Sequence, residues 1–153
     1  MNILNKLINP ILADIEYYFG FLFNLGYQIQ ETDITFWSDR NWSATFESPA
    51  CVIKIYCDQW EVCLVFAPVG LPVDHRFDIE PIIYYLSNKQ NNIERPEHDF
   101  YKDRKKQLRR LAELLKKHIN QIIPYFEVNE FQKYKSELLA ASKEYGLIYM
   151  RRL

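Results

Sequence analysis

Residues 51–66 hold two successive runs in which apolar and mixed side chains alternate with a period of two, and no other stretch constrains the fold as strongly. With Asp58-Gln59 as a two-residue turn, Cys57 faces Trp60 and Ile55 faces Val62. One face of this hairpin reads Cys51, Ile53, Ile55 and Cys57 against Trp60, Val62, Leu64 and Phe66, all of them apolar. The other carries Val52, Lys54 and Tyr56 against Glu61, Cys63 and Val65, with Lys54 opposite Cys63 and Tyr56 opposite Glu61. A slip of one residue would turn a mixed face to the core, so the pattern favours this pairing. Cys63 then lies across the sheet from Cys51 and Cys57 and cannot bridge to either.

A hairpin with one apolar face needs cover, and the flanking chain offers it. Residues 3–24 place Leu4, Leu7, Ile8, Ile11, Ile15, Tyr18, Phe19 and Leu22 at helical spacing, with Pro10 as a kink or restart and Gly26 as the stop. Short extended runs follow at Tyr27–Glu31, Ile34–Ser38 and Ser43–Ser48. After the loop Ala67-Pro-Val-Gly-Leu-Pro, Asp78 offers an N-cap to a helix reaching Leu86. The longest helix is expected from Pro96 to Ile123, with Tyr101, Leu108, Leu111, Leu115, Ile119 and Ile122 inward and Pro124 ending it. A last helix spans Val128–Tyr145, with Phe131, Tyr134, Leu138, Ala141 and Tyr145 on one side and Gly146 as its stop. The expected fold is a single α+β domain of 153 residues: an antiparallel sheet of about four strands, with the N-terminal and C-terminal helices packed on one face.

Composition narrows the function classes. Only 4 residues are Gly, and there is no P-loop, GxSxG or HExxH. Three cysteines lack a CxxC pair and lie far from the three histidines, so neither a zinc site nor a cofactor is expected. An odd cysteine count without an export signal fits reduced thiols in the cytoplasm, and no apolar run reaches membrane-spanning length. His75 and His98 each neighbour an aspartate in sequence, and His118 lies near the inner stripe of the long helix, but nothing places a nucleophile beside any of them. Cys63 faces Lys54, which does not replace a histidine base. No catalytic residue is assigned, and the chain reads as a binding protein.

Two surfaces suit a partner. Trp37 and Trp42 flank a turn containing Asp39 and Arg40, and Trp and Arg are the residues that most often anchor interfaces. Together with Tyr56 and Val65 on the uncovered sheet face, they form an expected protein-binding patch, with Asp33, Asp39, Glu47, Asp58 and Glu61 supplying negative charge toward a basic partner. The alternative is a nucleic-acid contact along Lys102, Arg104, Lys105, Lys106, Arg109, Arg110, Lys116 and Lys117. Residues 1–100 carry 14 acidic and 6 basic side chains, whereas residues 101–153 carry 6 and 13. No aromatic platform interleaves with the basic run, so base readout is not expected there.

The order Phe19–Tyr27 (Phe-x-Phe/Leu-x-x-x-Gly-Tyr), then Val52–Phe66 (Val-x-Ile-x-Tyr…Glu-Val-x-Leu-x-Phe), then Leu111–Lys117 resembles a group of small bacterial proteins. Some of these are similar to immunity proteins of polymorphic toxin systems. The resemblance implies a non-catalytic protein that binds and silences a toxin, for example a basic nuclease. It carries over no catalytic residues.

Overall fold

The computed structural model describes residues 3–29, 34–71, 76–90, 93–94 and 96–151. Helix α1 (Ile3–Phe19) runs through Pro10, and a short helix α2 (Phe21–Asn24) follows. The break falls at Gly20, where a Cβ would sit 2.6 Å from the Glu16 carbonyl oxygen. Gly26, at φ +88°, ends the segment as expected.

Strands β1 (Ile34–Ser38), β2 (Asn41–Glu47), β3 (Val52–Asp58), β4 (Glu61–Ala67) and β5 (Phe77–Asp78) form an antiparallel sheet in chain order. The sheet has five strands, one more than the sequence suggested, because Phe77 and Asp78 pair with Phe66 and Val65 before the chain turns into α3 (Ile79–Leu86). Of the run expected at Tyr27–Glu31, Gln28 forms a bridge to Glu47, and residues 30 and 31 lie outside the described residues.

The central hairpin buries the expected face but pairs two residues further along. Cys57 lies opposite Val62, Ile55 opposite Leu64 and Ile53 opposite Phe66. The turn is Gln59-Trp60, both with positive φ (46° and 82°), as a tight two-residue hairpin turn requires. A shift of two preserves every side chain's face, so hydrophobic alternation cannot detect it. Three consequences correct the expected placements. Tyr56 lies opposite Cys63, Lys54 lies opposite Val65, and Trp60 leaves the core for the turn, 44% exposed.

Trp42, Ala44 and Phe46 join this face from β2, and Ile11, Ile15 and Phe19 of α1 close on it together with α4 (Arg104–Phe126). The inner side of α4 is Leu108, Leu111, Leu115, Ile119 and Ile122, as the spacing indicated. Its start is later than expected: His98–Lys102 form a 3-10 turn, and Asp103 caps α4 by accepting the Lys106 N–H at 3.1 Å. Its end is also later. Pro124 lies within the last turn, and the chain stays helical through Phe126, which is fully buried against Phe66, Phe77 and Phe131. Helix α5 (Phe131–Arg151) passes through Gly146, which does not take the positive φ that would stop it. Tyr145 and Ala141 pack there with Tyr84 of α3, and Ile148 joins them.

Candidate functional site: the outward face of the sheet

The face of the sheet turned away from this core carries Thr35 and Trp37 from β1, Ser43 and Thr45 from β2, and Lys54 and Tyr56 from β3, none of them in the core cluster. Alternation dictates this set, Trp37 following Thr35 by two residues; its indole projects outward, 76% exposed, beside a shift of the β1–β2 register between Phe36 and Ser38. Thr35 and Ser43 face each other in the ladder and share a hydroxyl–hydroxyl hydrogen bond. A hollow of about 540 Å³ opens over this floor, lined among others by Trp37, Ser43, Lys54, Tyr56, Asp58 and Arg76.

Two cations converge on it. The Arg76 guanidinium carbon lies 5.9 Å from the Tyr56 ring centroid. Burial lowers the pKa of Lys54, and the positive charge of Arg76 lowers it further. Burial also raises the Tyr56 hydroxyl above its ordinary pKa. Cys63, opposite Tyr56, is pushed up to about 12, first by burial and then by Glu61 and Asp78. Its thiol stays protonated at neutral pH and is a poor nucleophile.

The expected partner-binding residues divide. Trp37 and Tyr56 line the hollow. Asp39 and Arg40 are exposed in the turn at one end of the sheet, where the Arg40 guanidinium lies 4.6 Å from the centroid of Trp60 and ties the two hairpin ends together. Glu61 is exposed at the start of β4 and lines a separate depression of about 260 Å³ beside Arg110 and Tyr145. Trp42 is not a surface anchor. It sits opposite Cys57 and Phe36 on the core face, 2% exposed, and its indole N–H has no hydrogen-bond partner among the described residues. Val65 is also withdrawn, 4% exposed in the ladder between Lys54 and Asp78. Asp33 and His75 lie outside the described residues, as does the side chain of His98. Lys54 and Arg76, absent from the expected patch, are its central charges. Lys54 was legible on this face from alternation, whereas Arg76 follows a loop that gives no periodic signal.

The basic helix is less open than its composition suggests. Arg110 donates to Glu80 at 2.6 Å and Arg104 to Asp14 at 2.7 Å, fastening α4 to α3 and α1. The Lys116 ammonium lies 5.1 Å from the Phe21 ring centroid. Lys102, Lys105, Lys106, Arg109 and Lys117 are exposed, and Glu113 falls on the same side of the helix as Arg109 and Lys116.

Among the described residues no three His, Cys, Asp or Glu side chains converge as a metal site, and no described helix is long and apolar enough to cross a membrane. Comparison with protein-family models, curated proteins and solved structures finds no match.

Proposed function

We propose that the protein is a non-catalytic binding module that receives a protein partner on the outward sheet face, in the manner of an immunity protein receiving the toxin it silences. The observation that carries this reading is Trp37: a large aromatic, 76% exposed, beside a broad hollow rather than packed in the core. Exposed aromatics of this kind anchor interfaces because they desolvate a large area at low entropic cost. Asp39, Asp58 and Glu61 stand near the turn end of the sheet, where they steer a partner with a basic rim.

A photo-crosslinking residue placed at Trp37 and activated in the native host tests the reading. A discrete protein adduct from position 37, absent when the same residue replaces exposed Leu139 on α5, supports it. No adduct at 37, or the same products at both positions, contradicts it.

A further inference from the structure

The residues lining the hollow include Lys54 and Arg76 as cations and Asp58 as an anion. That leaves a net charge of +1 within the half of the chain that is otherwise strongly acidic. Lys54 of β3 and Arg76, which just precedes β5, both line the hollow, with Arg76 over the Tyr56 ring, yet neither forms an ion pair or hydrogen bond with any described residue. Arg104 and Arg110, which also reach across elements, do have carboxylate partners at 2.7 Å and 2.6 Å. Lys54 is half-buried and the charge of Arg76 disfavours its ammonium further, whereas Arg76 itself is exposed, and an anion placed between the two offsets that repulsion. Ser43 and Asn41 border the same space and offer neutral hydrogen-bonding groups.

Resting on the reading of this face as a partner surface, we infer that the hollow takes a single carboxylate of the partner, held between Lys54 and Arg76 and flanked by Trp37. The net charge selects a monoanion. A dianionic phosphate would meet Asp58 with only two cations to offset it, and phosphate sites draw on free backbone N–H groups that the paired strands here do not offer. The burial-lowered pKa of Lys54 agrees with this arrangement, since a bound carboxylate would raise it again.

Titration of the isotopically labelled full chain with acetyl-Glu-N-methylamide, followed by amide NMR, tests the inference. Saturable shifts are expected at Trp37, Lys54 and Tyr56, with at least tenfold weaker binding of acetyl-Gln-N-methylamide. The double variant Lys54→Gln/Arg76→Gln should lose the response at least tenfold, and Lys54→Arg should retain it. No saturable shift, equal binding of the glutamine probe, or an unaffected double variant would overturn the assignment. Inorganic phosphate saturating the same signals at lower concentration would also overturn it in favour of a phosphate site. An adduct at position 37 with a failed titration removes the carboxylate site alone, and a successful titration without an adduct removes the protein partner alone.

Discussion

Gln107 closes the outer edge of β4 by accepting the Val62 N–H at 2.8 Å. Strand β5 pairs with only Val65 and Phe66, so Val62 lies beyond the end of that ladder. The same carboxamide donates to the carbonyls of Trp60 at 2.9 Å and Tyr101 at 3.1 Å, so a helix side chain completes the sheet where a strand is missing. Gln107→Met keeps the shape but leaves a buried N–H unpaired, and should cost about 1–3 kcal/mol in urea unfolding. A loss under about 0.5 kcal/mol would show that water serves Val62 equally well.

The pair Arg110–Glu80 ties α4 to α3 with side chains 22% and 14% exposed, and Tyr145 of α5 donates to the other oxygen of Glu80 at 2.8 Å. Arg110→Met should therefore destabilise by about 2 kcal/mol, between the surface and buried limits for ion pairs. Lys117→Met on the open side of α4 should change stability by less than about 0.5 kcal/mol.

Stability should fall above pH 9. Burial raises Cys51 and Cys57 to about 11 and Cys63 to about 12, from an ordinary value of 9.0, while Tyr27 and Tyr56 are also raised by burial. These groups keep their protons in the folded chain after the unfolded chain has lost them. Their contribution is complete below pH 9 and is lost as pH rises through the folded values. The urea midpoint should stay flat with respect to these groups below pH 9 and decline steadily between pH 9 and 11. In Cys57→Ala the decline should be shallower. An unchanged midpoint up to pH 11 would contradict these shifts.

Much of the fold is legible in the sequence because burial follows period. The core face of the hairpin, the inner stripe of α4 and the face of α5 all follow from alternation or 3.6-residue spacing, as Leu64, Leu115 and Leu138 show. What is not legible depends on backbone geometry that side-chain pattern does not report. A two-residue slip keeps every face, and a Gln-Trp turn lacks the glycine that usually marks positive φ. Pro124 and Gly146 are stop signals by type, but burial of Phe126 and the Tyr84–Tyr145 packing carry both helices past them. The site was half legible for the same reason. Alternation puts Trp37, two residues after Thr35, on the outward face, whereas Arg76 follows a loop that carries no periodic signal.

Nucleic acid should not bind the basic helix at physiological salt. Arg104 and Arg110 are held by carboxylates, Lys116 rests over Phe21, and Glu113 interrupts the remaining face. A filter or anisotropy assay with duplex DNA near 0.15 M salt should show no submicromolar binding. Submicromolar binding, with a salt slope near −0.9 per phosphate that flattens on charge reversal at Lys105 and Arg109, would move the functional surface to α4.

Trp42 is core and Trp37 is surface, and the two respond differently to truncation. Trp42→Ala should cost about 3–5 kcal/mol of stability. Trp42→Phe should cost much less, because it also removes an indole N–H that is buried without a described partner.

The most direct test of the partner surface is to measure stability and partner affinity on one variant, Trp37→Ala, using the protein captured from position 37. Folding stability should change by less than about 0.5 kcal/mol, because the indole is 76% exposed. Affinity should fall by about 2 kcal/mol or more, roughly 30-fold, as for an interface anchor. A folded Trp37→Ala protein that binds the partner as tightly as the parent would show that this face is not where the partner is held.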